Sequence, residues 1–415
     1  MTFEMLYNRL LKASVNGGMQ EELNLLEDEG YDPYQLDCLL HPRKHPVVIR
    51  TGRCDCSCDQ KDECRNKCLF NALFVNKDGN IDIRTDTCVG CGDCVAHCKA
   101  GKLTESRDIL PALETIRNAK GPVYAMIAPA FVNQYADDVT PGKLRTALKQ
   151  IGFSGVVEVA LFADILTLKE ALEFDQNIHT EQDFQLTSCC CPMWIGMIRK
   201  VYSQLVTHVP ASVSPMAACG RSIKKIYPDA VTVFIGPCMA KKAEAREADI
   251  KDSTDFVLTF QEVQDIFDFA QINPADMEED ERDHSSRAGR IYAGVGGVSE
   301  AVRMTVERIN PHRDVTIRTR YADGVPACKQ MLNDILEGNG NANFFEGMGC
   351  VGGCVGGPKA LIPREQGLES VVRYGNEATY QTPIDNPYVL KLLHQLGLET
   401  IEGLLKDSDI FVRKL

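Results

Sequence analysis

Residues 121–161 hold three runs in succession: GPVYAMIAPAF (121–131), TPGKLRTALKQIG (140–152) and GVVEVAL (155–161). The first and third are short and apolar, as buried strands are. The middle run has apolar residues at helical spacing, Thr140 as a cap and Pro141 in the first turn. Two strands joined through a helix pair in parallel, because a parallel pair needs a crossover. AVTVFIGP (230–237), VTIRTRYA (315–322) and NANFFEG (341–347) read as further strands, and ADILTLKEALEF (163–174) as a helix. The alternation predicts an α/β domain with mostly parallel strands over residues 105–415. ADMEEDERDHSSR (275–287) reads as a solvated loop.

Two smaller pieces precede that domain. Residues 1–50 read as a helical extension, from the apolar spacing in FEMLYNRLLKA (3–13). Residues 51–104 contain Cys54, Cys56, Cys58, Cys64, Cys68, Cys88, Cys91, Cys94 and Cys98. So little apolar sequence cannot build a core, and bound metal would have to organise it as a small α+β domain. The whole chain has 415 residues, 44% hydrophobic and 25% charged, with a net charge of −13. That composition excludes dominant disorder and argues against a nucleic-acid binder. The most apolar stretch, 121–132, is too short for a membrane span and contains two prolines. No signal-peptide pattern opens the sequence, so a cytoplasmic location is expected. In a reduced compartment, 18 cysteines at short spacings point to metal rather than disulfides.

Cys88-x2-Cys91-x2-Cys94-x3-Cys98 is the spacing that wraps three thiolates around one iron–sulfur cube and sends the fourth to a second. Two zinc sites could use as many thiolates, but the run favours iron–sulfur. The segment resembles a two-cluster bacterial ferredoxin with an altered first loop, and Leu69 stands where proline usually follows Cys68. That resemblance implies that Cys68 joins Cys88, Cys91 and Cys94. It also implies that Cys98 joins Cys64 and two of Cys54, Cys56 and Cys58; the spacing leaves open which two.

Three more segments carry cysteine at the end of a strand-like run: TSCCCPMW (187–194), GPCMAKKAE (236–244) and EGMGCVGGCVGG (346–357). The C-terminal ends of parallel strands converge on one crevice, so these distant loops can meet. In this order the three segments resemble the signatures of the FeFe-hydrogenases over roughly residues 105–415. The triple cysteine is similar to the group B branch. The resemblance implies two mostly parallel sheets with flanking helices around a buried metal centre, and a small-subunit-like tail at about 375–415.

It further implies that Cys191, Cys238, Cys350 and Cys354 hold a 4Fe–4S cluster. Cys354 would also bridge to a two-iron unit with CO, cyanide and azadithiolate ligands, completing the H-cluster. Two additional 4Fe–4S clusters would carry electrons. Lys241 matches a lysine that binds an iron cyanide, and a buried ammonium does need an anionic partner. Met348, Pro129 and Ala130 match residues around the two-iron unit. Cys190 matches the proton relay, with Glu170 and Glu173 beyond it on one helix face. Anchored on Pro192 and Trp194 the ligand is Cys191 and the relay Cys190. Anchored on Thr187 and Ser188 each moves back by one, which would bring in Cys189; the first register is favoured. Lys242, Cys38, Cys219 and Cys328 are given ordinary roles: a surface charge and three buried thiols.

Some positions depart from the family. Pro210 falls where the proton path has a serine, Asn177 where it has an arginine, Met216 where group A enzymes have glutamine, and Gly236 where a methionine precedes the second signature. The expected activity is reversible H2 oxidation, with a ferredoxin-type carrier as partner and dedicated maturation proteins. An assembly factor without the two-iron unit, or a slow hydrogen sensor, are the alternatives.

Overall fold

The computed structural model describes residues 1–413 apart from 28, 188, 189, 402, 407 and 408; the side chains of Cys58 and Lys406 also lie outside the description. Helices Phe3–Asn16, Met19–Leu26 and Pro33–Leu40 open the chain. Thr2 caps the first by accepting a hydrogen bond from the Met5 amide. Phe3, Leu6 and Leu10 turn inward and share a core with the α/β domain. The Tyr7 hydroxyl donates to Asp265 at 2.7 Å.

The helical extension ends earlier than the sequence suggests. Strand β1 (Val48–Arg50) is already part of the cysteine-rich unit. The short strands β2 (Leu73–Val75) and β3 (Ile81–Ile83) form an antiparallel hairpin, and β4 (Leu103–Glu105) returns to pair antiparallel with β1. The apolar cluster of this unit is small: Val48, Leu73, Ile81, Ile83 and Leu103, with Met239 from the neighbouring domain. Such a core cannot hold the loops by itself. Metal held by its cysteines would have to do so, and removing that metal with a chelator is expected to abolish amide-exchange protection over residues 51–105 while the larger sheets stay protected.

The α/β domain holds β5 (Val123–Ile127), β6 (Gly155–Glu158), β7 (Gln185–Leu186), β8 (Val231–Gly236), β9 (Phe256–Thr259), β10 (Thr319–Asp323) and β11 (Phe344–Met348). One sheet has the order β6-β5-β8-β9 and the other β10-β11-β7, with every pairing parallel. Helix Pro141–Ile151 begins at Thr140, whose hydroxyl accepts from Lys143, and crosses from β5 to β6. The strand expected from 315 starts only at Thr319, because its partner β11 begins at Phe344. Residues 275–287 are mostly irregular but not loosely solvated. Asp280 pairs with Lys149 at 2.7 Å, Glu279 accepts from the Thr140 hydroxyl at 2.6 Å, and Asp283 pairs with Arg290.

The tail is tied to the domain. Helix Pro387–Gln395 is capped by Asn386, whose side chain also donates to the buried Asp164 at 3.2 Å. Among the described residues no helix is long and apolar enough to cross a membrane.

Candidate metal centre

The loops leaving β5, β8, β11 and β7 meet at one place. A cavity of about 80 Å³ is lined by Cys190, Cys191, Cys238, Cys350 and Cys354, with Lys241, Pro129 and Met348. Its other walls are apolar, among them Ala128, Val159, Met216 and Phe234. Ala130 is buried one residue beyond Pro129 and is not among the lining residues.

Local sequence explains each position. Pro192 starts helix Pro192–Lys200 directly after Cys191. Gly349 leaves room for Met193, whose Cγ would lie 2.3 Å from any added Cβ, and its amide donates to Cys191 Sγ at 3.3 Å. Gly347 is needed because Trp194 fills its Cβ position. Gly353 has φ +87°, and a Cβ there would sit 2.7 Å from the Val295 amide nitrogen. Gly353→Ala is expected to cost about 1–3 kcal/mol and to lower the iron content of the purified protein, measured by thermal denaturation and metal analysis.

Burial pushes the Cys238 thiol up to about 11 and the Cys354 thiol up to about 12. Each of Cys350 and Cys354 also lies in the field of Cys238 and Cys191. Thiols in such surroundings stay protonated unless a metal takes the proton's place. The donor set therefore fits an iron–sulfur group. Among the described residues, no three Cys, His, Asp or Glu side chains converge tightly enough for a single ion.

Lys241 is buried, and its Nζ donates to Glu244 at 2.6 Å. Burial works against the ammonium, but Glu244 more than offsets it and holds the pKa above the ordinary lysine value. Lys242 is not the surface charge expected from sequence. It is 0% exposed and held by both oxygens of Glu262 and by the Ser106 carbonyl. The short helix Ala240–Glu244 turns it into the core, where three acceptors satisfy its ammonium.

Cys190 lies next to this group. Burial raises its thiol well above the ordinary value, and Cys191, Glu170, Glu346 and Cys354 act in the same direction. Glu170 is buried on helix Ala160–Asn177, and Glu173 lies one turn on, toward solvent. Glu173 lines an outer polar cleft of about 480 Å³ together with Asn177, Asp183, His208 and Pro210. Cys189 lies outside the described residues.

A second cavity, of about 290 Å³, is lined by Cys54, Cys56, Cys64, Cys68, Cys88, Cys91, Cys94 and Cys98. These thiols fall into two neighbourhoods. Cys88, Cys91 and Cys94 each lie in the field of Cys68. Cys56 and Cys64 lie in the field of Cys54 and Cys98. The Cys58 side chain lies outside the described residues. Backbone amides donate to Cys68 Sγ from Ala72 and to Cys98 Sγ from Lys102, both at 3.3 Å. Cys91 in turn acts on Cys350, so the inner neighbourhood borders the buried centre. Gly90 and Gly92, at φ +69° and +83°, let this loop press on Met239 and Ala240, leaving 3.0–3.2 Å where a Cβ would stand.

Residues 121–358, more than half of the chain, match the family model described as iron only hydrogenase large subunit, C-terminal domain. The chain belongs to the iron-only hydrogenase family. Among curated relatives, the NADP-reducing hydrogenase subunit HndD of Solidesulfovibrio fructosivorans is 25% identical over 407 residues, covering 83% of this chain and 69% of its own length. Iron hydrogenase 1 of Clostridium pasteurianum is 28% identical over 291 residues, 60% of this chain and 50% of that protein. A variant of the FeFe-hydrogenase HydA1 from Chlamydomonas reinhardtii shares the fold, with TM-score 0.62, 21% identity and coverage of 74% of this chain and 98% of that one. A more distant relative is the cytosolic Fe-S cluster assembly factor NAR1 homolog of Schizosaccharomyces japonicus, 21% identical over 243 residues, 50% of this chain and 47% of its own.

Sequence reading of this hydrogenase-family chain misses several residues. Tyr292 lines the buried cavity, and its hydroxyl accepts from Thr167 at 2.8 Å. Glu346 accepts from the amides of Gly296 and Ser299 and so anchors helix Gly297–Ile309 to β11; burial raises its pKa to about 7. Glu244, three residues after Lys241, carries a usable signal in its helical spacing. Tyr292 and Glu346 carry none without the fold.

Proposed function

We propose that this chain is an FeFe-hydrogenase that interconverts H2 with two protons and two electrons at a six-iron H-cluster. The observation that carries the reading is the shared cavity of Cys191, Cys238, Cys350 and Cys354 with Cys190 and Lys241 on its wall. The four thiolates would hold the 4Fe–4S part, with Cys354 shared by the two-iron unit. When bound, that unit supplies an open iron site beside a basic bridging amine. Lys241 offers a fixed cation to an anionic cyanide, Met348 and Pro129 pack around it, and the apolar walls exclude water. The Cys190 Sγ holds the proton that enters or leaves, and Glu170 and Glu173 lead it toward the outer cleft.

Cys68, Cys88, Cys91 and Cys94 would carry one 4Fe–4S cluster of a ferredoxin-like domain, and Cys64 and Cys98 the other together with two of Cys54, Cys56 and Cys58. Electrons would pass through both to a ferredoxin-type carrier. Maturation proteins would deliver the two-iron unit in an anaerobic cytoplasm, without nucleic acid or membrane. The triple cysteine favours the group B branch.

The test is hydrogen evolution from reduced viologen by the matured protein, together with infrared spectra of the CO and cyanide region. A fully loaded preparation without those bands would overturn the reading. The similarity to an assembly factor supports a second reading, in which the same fold holds iron–sulfur clusters alone. Cys190 and Lys241 favour the first, because cluster storage needs neither a relay thiol nor a cyanide-binding ammonium.

A further inference from the structure

The cavity of the cysteine-rich unit carries charge that its own ion pairs do not use up. Glu63 pairs with Lys67 and with Lys99, each at 3.3 Å, and Asp93 meets His97 at 3.2 Å. Arg50 and Lys102 also line the cavity, and among the described residues neither has an acidic partner. Arg50 closes β1 and, two residues after Val48, shares the face that Val48 turns into this unit. Its Nη1 donates to the Gly52 carbonyl at 2.8 Å. Its Nε is shut off from solvent and meets no acceptor among the described residues. Tyr34 lies in the field of both Arg50 and Asp82, but the Asp82 carboxylate accepts from Asn76 and from the Ile83 amide. A guanidinium drawn out of water needs an anion, and an orphaned donor needs an acceptor. Strand register shows where to look for both. Arg50 stands opposite Leu103 on β4, and the amide of the preceding Lys102 donates to Cys98 Sγ at 3.3 Å.

We propose that Arg50 is the counter-cation of the outer front cluster, the one assigned to Cys64 and Cys98, where its Nε–H donates to sulfur and its charge raises the reduction potential. The inference rests on the ferredoxin-like reading of the front unit and names the residue that sets how readily an electron enters there. A 4Fe–4S cube with four thiolates is negative overall and becomes more so when it takes an electron. A fixed cation and a donated hydrogen bond both favour that reduced form. Lysine would supply the charge without the planar fork that frees Nε while Nη1 stays on Gly52. Arg53 lies three residues on, but it is 83% exposed and 3.9 Å from Asp55, so water and its partner screen it. In the sequence the two arginines look alike; the fold separates them.

The test uses the full chain isolated with its iron–sulfur clusters, in a reductive titration followed by electron paramagnetic resonance. The outer cluster is assigned as the signal that Cys98→Ser alters. Arg50→Met is expected to shift its reduction equilibrium about ten-fold toward the oxidised form, which is about 59 mV for one electron. Arg50→Lys, which keeps the charge and loses the Nε–H, should fall between Arg50→Met and the parent. Arg53→Met should shift the equilibrium by less than about two-fold. An unchanged midpoint in Arg50→Met overturns the proposal. So does an equal shift in Arg53→Met, which would mark a general surface field, or in Arg50→Lys, which would leave the charge without effect. If Arg50→Met loses the outer cluster altogether, its retention in Arg50→Lys supports the proposal and its loss there overturns it. A parent chain whose front cysteines hold no reducible cluster sinks the ferredoxin-like reading and the inference with it. A loaded parent whose midpoint ignores Arg50 sinks the inference alone.

Discussion

Cys190→Ala is expected to lower hydrogen turnover by about 10²–10⁴-fold while the CO and cyanide bands persist. The size follows from losing a positioned acid–base group. The persistence of the bands follows from Cys190 standing beside the four candidate ligands rather than among them. Its side chain lines the same cavity, and the charges around it come from Cys191, Glu170, Glu346 and Cys354. Removing the thiol should leave the iron in place and stop the proton. Cys189→Ala should be close to neutral. If Cys189→Ala gives the large loss and Cys190→Ala does not, the register of the triple cysteine shifts back by one.

The second large effect concerns Lys241→Met. The substitution leaves the Glu244 carboxylate 1% exposed without its cation, which costs about 3–5 kcal/mol. It also removes the cation facing the cavity. The expected result is a lower denaturation midpoint together with loss of the two-iron bands. Adding Glu244→Gln should restore most of the midpoint, because no buried charge is then left alone. The bands should stay absent in the double variant. Their return would show that Lys241 serves stability and not the bound unit. A single variant that denatures at the parent midpoint would show that Glu244 finds another partner.

Much of the catalytic architecture is legible in the residues alone. The strand–helix–strand run at 121–161 fixes parallel pairing, and a parallel sheet gathers its loop ends at one edge. Cysteines placed after β7 and β11 share one sheet edge, whereas Cys238 follows β8 in the other sheet, and it is the packing of the two sheets that brings all of them to one cavity. What stays hidden depends on which way a helix is turned. Lys241 and Lys242 are adjacent and chemically alike. One faces the cavity and the other is locked to Glu262, a residue on another element. Lys169 donates to Ser212 from 43 residues away, and neither belongs to a spacing rule. The run at 275–287 reads as solvated because its charges are dense, but their partners Lys149 and Arg290 lie on other helices.

The contact made by Gly90 and Gly92 bears on how such a protein could be re-engineered. The cysteine-rich front unit is not a detachable plug. It meets the catalytic half with bare backbone, so a transplanted electron-entry unit would have to reproduce both glycines at the seam. A graft that preserved every cysteine but carried alanine there would have to displace Met239 and Ala240 by a few tenths of an ångström, at the seam where the proposed function has electrons cross.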